Sequence, residues 1–132
     1  MGKETRMIPG TISNNSDDLC SCIRVKYLDL VTELDKLKIQ VTLLETLRDF
    51  DRQRYYVSIG SSKTYNSKHL PQPPFGKSLA FDLAVTEYMT LKNWNPKGPL
   101  WEKIREVSRS LGLICNIPWD KPHHQLNECE CK

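Results

Sequence analysis

The sequence predicts a single α+β domain with a small, mainly antiparallel sheet and flanking helices. Two observations carry that expectation. The chain has 132 residues, the size of one domain with one core. Segments of helical and strand-like patterning also alternate along it, in the order helix, strand, helix, strand, helix, strand.

Residues 1–20 are rich in Gly, Asn, Ser and Asp and read as a flexible lead-in. Over residues 23–37 the apolar side chains Val25, Leu28, Val31 and Leu34 recur every three positions, which predicts a helix. Residues 38–43 alternate polar and apolar and predict a half-buried strand. A second helix is expected over residues 48–57, closed by Gly60 and followed by a polar loop over 61–66. Residues 69–78 hold three prolines and a glycine, so they form a loop with stiff segments. Residues 79–85 are apolar except for Asp82 and predict a buried strand. Residues 93–98 are a turn. Trp101, Ile104, Val107 and Leu111 share one face of a helix over 100–111, ended by Gly112. Short strands over 113–117 and 123–126 complete the set. The domain proper is expected to span residues 21–127, with a tail over 128–132.

Composition narrows the function. The net charge is +3, and basic residues are interspersed with acids, so no nucleic-acid partner is expected. A mild attraction to anionic surfaces is permitted. No apolar run reaches eighteen residues, so no membrane span is expected. The polar stretch over 1–18 has no apolar core of the secretory kind, which predicts synthesis into a cytoplasm. Five cysteines fall as Cys20 and Cys22, Cys129 and Cys131, and Cys115 alone. The expectation is reduced thiols on frayed ends. A four-thiolate zinc site and disulfides between the tails are the alternatives.

The residues that carry chemistry lie in two segments. Asp82 stands in the apolar stretch Leu79-Ala80-Phe81-Asp82-Leu83-Ala84-Val85. A buried carboxylate is costly unless it is paired or binds a metal. Strand alternation puts Ala80, Asp82 and Ala84 on one face, where the alanines leave room for an ion. A strand-end cap or a partner arginine would also explain this Asp. The three histidines of the chain, His69, His123 and His124, all lie near it or near Asp120. Adjacent residues of an extended segment face opposite ways, so only one of His123 and His124 can join the site, and His124 is taken as the one facing away. A catalytic zinc site needs three protein ligands, an open position and a base nearby. His69, Asp82 and His123 with Asp120 make such a set.

These segments resemble the zinc peptidases that cleave L-alanyl-D-glutamyl and D-alanyl-D-alanine bonds in peptidoglycan, many phage endolysins among them. The family pattern of Ser-x-His, Ala-x-Asp and acidic-x-x-His is matched by Ser67-Lys68-His69, Ala80-Phe81-Asp82 and Asp120-Lys121-Pro122-His123. Glu45-Thr46-Leu47-Arg48, with Gln53 five residues after Arg48, resembles the family's substrate-anchoring helix start. The likeness covers roughly residues 25–126. It departs in the longer interval from His69 to Asp82, read as a loop insertion, and in His124, where the family usually has an aromatic.

The resemblance implies a zinc site in a cleft, held by His69, Asp82 and His123. Asp120 would be the general base that passes a proton to the leaving amine. Arg48 and Gln53 would bind a substrate carboxylate or amide, unless they lie on an ordinary exposed helix face. Ser67 would orient a ligand or touch substrate. The implied protein is a monomeric phage endolysin cutting L-alanyl-D-glutamate in peptidoglycan stem peptides. It would accumulate in the host cytoplasm and reach the wall through a lysis pore. A D-alanyl-D-alanine carboxypeptidase shares the same ligands. A non-catalytic zinc or wall-binding module is the competing class, and Asp120 argues against it.

Overall fold

A computed structural model of the protein describes residues 8–62, 64, 66–73, 76–91, 95, 97–115 and 122–127. Its first helix, α1 (Ser21–Lys36), forms where the periodicity predicts one, but it buries another face. Ile23, Leu30 and Leu34 are buried and Tyr27 packs beside them, whereas Val25 and Leu28 are more than half exposed. The reason is geometric. A three-residue spacing drifts around a helix of 3.6 residues per turn, while Ile23, Tyr27, Leu30 and Leu34 keep to one stripe.

The strand expected over 38–43 begins later, as β1 (Val41–Glu45). Lys38 adopts a left-handed conformation (φ 61°), and Ile39 N–H bonds back to Leu34 C=O at 2.9 Å. This closes α1 with a motif that usually uses glycine. Gly60 (φ 80°) and Gly112 (φ 87°) close the other two helices in the same way, as their positions in the sequence predict.

Helix α2 (Phe50–Ser58) starts after Arg48, not at it. Asp49 is the N-cap, and one carboxylate oxygen accepts Arg52 N–H at 2.9 Å. The other oxygen holds Thr11 through its N–H and hydroxyl. Residues within the expected lead-in thus join the domain. Ile12 pairs with Arg48, and Leu19 and Cys20 are buried in the core.

Strand β2 (Ala80–Val85) lies between β1 and β3 (His123–Gln125), antiparallel to both. Phe81, Leu83 and Val85 project into the core, where they meet Ile23, Leu30 and Leu34 of α1 and Trp101 and Ile104 of α3 (Pro99–Ser110). Full burial of each such side chain contributes roughly 1.5–3 kcal/mol. Alternation then puts Ala80, Asp82 and Ala84 on the opposite face. This is the small antiparallel sheet with flanking helices that the sequence predicts.

Of the strand expected over 113–117, Ile114 exchanges two backbone bonds with Gln125, at 2.8 and 2.9 Å. Residues 116–117, half of the turn over 93–98 and the tail over 128–132 lie outside the described residues. No helix among the described residues is long and apolar enough to cross a membrane.

Candidate metal centre

The sheet register assembles the site. Asp82 pairs with His123 across β2 and β3, and with Glu45 across β1 and β2. Cross-strand partners share a face, so Glu45, Asp82 and His123 form one row. Glu45 reaches that row because the register shifts between Leu43 and Glu45. An irregularity of this kind inserts an extra residue and re-aims the next side chain.

His69 arrives from a loop. Its backbone C=O accepts Arg48 N–H at 2.8 Å, its N–H donates to the Ser67 hydroxyl at 3.1 Å, and Leu79 N–H bonds to Lys68 C=O at 2.9 Å. Its ring is then turned by Thr46, whose backbone oxygen lies 2.8 Å from Nδ1. The long interval between His69 and Asp82 folds back on itself. Gln72 N–H donates to Lys77 C=O at 2.8 Å, and Gly76, in a left-handed turn (φ 68°), donates to Gln72 C=O at 2.9 Å. The two ends of the segment lie together, since Leu79 N–H reaches Lys68 C=O.

Asp82 Oδ1 lies 3.1 Å from His69 Nε2 and 3.2 Å from His123 Nδ1. One donor atom from each of these three residues falls within 4.8 Å of the others. The outer ring nitrogens face oxygens: His69 Nδ1 the Thr46 carbonyl, and His123 Nε2 the Gln125 side-chain oxygen at 2.7 Å. Two imidazoles and one carboxylate, each imidazole backed by an acceptor, are a donor set suited to a zinc-like ion. Burial acts to raise the Asp82 pKa. The charge on His69 and hydrogen bonds from His123 and His69 outweigh it and hold the carboxyl far below its usual range.

His124 does face away. It stacks on Phe81 with centroids 5.1 Å apart, and its Nδ1 is 2.8 Å from the Ser108 hydroxyl of α3. Burial lowers its pKa to about 3, so it is a neutral core residue.

Arg48 and Gln53 are not on an exposed helix face. Both are buried. Arg48 makes a two-pronged ion pair with Glu45, donates to Gln53 Oε1 and lies 4.6 Å from the centre of the Tyr56 ring. Gln53 in turn donates to the Ser62 hydroxyl and the Thr64 carbonyl. A cavity of about 500 Å³ opens over the trio, lined also by Glu45, Arg48, Tyr56, Ser67, Lys68 and Gln125. Asp120 lies outside the described residues.

Sequence reasoning did not single out Glu45 and Gln125 as site residues. Glu45 stands three residues before Arg48, a spacing that favours ion pairs on helices and was uninformative in a strand that runs into a loop. Gln125, two residues after His123, would have followed from strand alternation once β3 was assigned.

Cys20 and Cys22 are disulfide-bonded, which corrects the expectation of reduced thiols at that end. Cys115 is a buried free thiol.

No family profile matches the chain, and no curated protein does. Among solved structures it resembles the L-Ala D-Glu endopeptidase ChiX of Serratia marcescens, with a TM-score of 0.53 and 24% identity. The match covers 86% of this chain and 84% of that one. At this identity the likeness is one of fold.

Proposed function

We propose that this chain is a zinc-dependent peptidase that hydrolyses stem peptides of bacterial peptidoglycan, as a phage endolysin cutting L-alanyl-D-glutamate. The observation that carries the reading is the convergence of His69, Asp82 and His123 on one point in an open cavity. The fold it shares with an L-Ala D-Glu endopeptidase supports the substrate class. Disulfides persist in oxidising compartments such as the bacterial periplasm. Those at Cys20 and Cys22 therefore support action at the wall after release from the host cytoplasm.

In this reading His69, Asp82 and His123 hold the zinc. Zinc, when bound, supplies Lewis acidity toward the scissile carbonyl and makes a neighbouring water more acidic. Asp120 would serve as the general base, accepting a proton from the attacking water and returning it to the departing amine. Arg48 receives a substrate carboxylate. A guanidinium has five N–H donors, and the bonds to Glu45 and Gln53 engage its Nε, Nη1 and Nη2 once each, which among the described residues leaves two N–H groups for substrate. Gln53 acts through Arg48 by fixing its position. Ser67 shapes the turn that presents His69.

The deciding experiment is mass spectrometry of purified peptidoglycan fragments incubated with the zinc-loaded protein. New termini at L-alanine and D-glutamate are expected. Release of terminal D-alanine alone would make the protein a carboxypeptidase. No new amine from any peptidoglycan chemotype would leave a wall-binding module.

A further inference from the structure

We infer that Gln125 is a positioning residue of the metal centre: its side-chain oxygen accepts a hydrogen bond from His123 Nε2–H and keeps Nδ1 turned toward the ion. The inference rests on the metal-site reading above and goes one shell beyond it.

His123 Nε2 and Gln125 Oε1 are 2.7 Å apart. The two residues are two apart on β3 and share a face. The amide is itself oriented, because Gln125 Nε2 donates to Asn127 Oδ1 at 2.7 Å, which leaves Oε1 toward the imidazole. The backbone beneath is fixed. Gln125 exchanges both main-chain bonds with Ile114 on one side and pairs with Ala80 on the other. Gln125 also lines the cavity over the trio.

An imidazole must present a lone pair to a metal, so one of its nitrogens gives up its proton. In His123 both nitrogens face oxygens, Asp82 Oδ1 at Nδ1 and Gln125 Oε1 at Nε2. The amide oxygen can only accept. While it accepts a hydrogen bond from Nε2–H, Nδ1 is the atom that opens toward Asp82 and His69. His69 meets the same requirement with a backbone carbonyl, that of Thr46, which no substitution at Thr46 deletes. His123 depends on a side chain, so its support can be removed by mutation.

The test uses the purified full chain and zinc itself. Acceptors behind metal-bound histidines typically contribute about 10–100-fold in affinity. Gln125→Leu should weaken zinc binding by that factor in a chelator competition. Gln125→Glu, which keeps an acceptor oxygen, should return it to within a few-fold of the parent. Gln125→Met keeps the length without the acceptor and serves if the leucine variant does not fold. Thermal unfolding of the metal-free proteins checks that the fold is equal. In the zinc-loaded parent, long-range proton–nitrogen NMR should show an exchange-protected Nε2 proton on His123, and that protection should be lost without the acceptor. Equal zinc affinity in parent and Gln125→Leu overturns the positioning role and leaves the metal centre intact. So does a glutamate variant as weak as the leucine one at equal stability. A parent that binds no zinc overturns the metal centre, and the role of Gln125 with it.

Discussion

Glu45 grips Arg48 through both carboxylate oxygens, to Nε at 2.6 Å and Nη2 at 2.9 Å, and both side chains are under a tenth exposed. The pair sits beside the trio, with Glu45 Oε2 3.9 Å from His69 Nδ1. Removing one partner of a buried pair leaves the other charge uncompensated and costs about 3–5 kcal/mol. Arg48→Ala should therefore destabilise the domain by that order in urea unfolding and also depress turnover of wall peptides, with zinc still bound. Glu45→Gln with Arg48→Met should recover much of the stability but not the turnover. A single Arg48→Ala variant as stable and active as the parent would mean that this pair supports neither fold nor substrate.

The metal ligands make the second prediction. His69→Ala and His123→Ala should each abolish stoichiometric zinc in elemental analysis, since two remaining donors hold the ion poorly. His124→Phe should keep it, because His124 faces Phe81 and Ser108 on the far side of β3. That variant should also keep activity within a few-fold. Zinc lost with His124 and retained without His123 would show that the strand faces are reversed in solution.

The residues of the trio were legible in the sequence because their chemistry is local. An Asp in an apolar strand and imidazoles in two flanking segments stand out by type. The helix closures at Gly60 and Gly112 were legible for the same reason. What was not legible depends on partners distant in sequence. The choice of the Ile23, Tyr27, Leu30 and Leu34 stripe of α1 over the Val25 and Leu28 one is made by the sheet it packs on, for example through the edge contact of Tyr27 with Phe81 at 5.3 Å. The left-handed turn at Lys38 has no glycine to announce it. The register shift that brings Glu45 opposite Asp82 is a property of strand pairing.

His124 yields a prediction on pH. Burial holds its folded pKa near 3, below the ordinary value of 6.5, and its Nε2 has no hydrogen-bond partner among the described residues. Below pH 6.5 the unfolded chain takes up a proton that the folded protein refuses until about pH 3. The contribution to stability is thus full above pH 6.5 and is lost as pH falls toward 3, by at most about 1.4 kcal/mol per unit. Urea unfolding of the metal-free parent should show this loss between pH 7.5 and 5. His124→Phe should show less of it, although it forfeits about 1–3 kcal/mol at neutral pH by leaving the Ser108 hydroxyl unpaired. Identical pH slopes in the two proteins would mean that His124 titrates normally in the fold.

Disulfides at Cys20 and Cys22 tie down the start of α1, where Cys20 is the fully buried N-cap. Loss of a native disulfide from a small domain costs about 2–5 kcal/mol. Cys20→Ser and Cys22→Ser should each lower the unfolding midpoint, and reductant should lower that of the parent. A midpoint indifferent to reductant would mean that the buried core around Ile23 and Leu34 holds this helix unaided.

The role assigned to Asp120 separates an enzyme from a binding module. It stands three residues before His123, which lines the cavity with its ring packed edge-on against that of His69. Asp120→Asn keeps the size and much of the hydrogen bonding of the side chain but cannot accept a proton. General bases contribute about 10²–10⁴-fold, so hydrolysis of peptidoglycan peptides should fall by at least about a hundredfold. Zinc content and unfolding midpoint should stay at parental values, because the donor set of His69, Asp82 and His123 is complete without Asp120. Zinc lost in Asp120→Asn would make Asp120 a ligand and place the base elsewhere. Parental turnover with zinc retained would remove Asp120 from the chemistry, and Glu45, which lines the cavity, would be the next group to test.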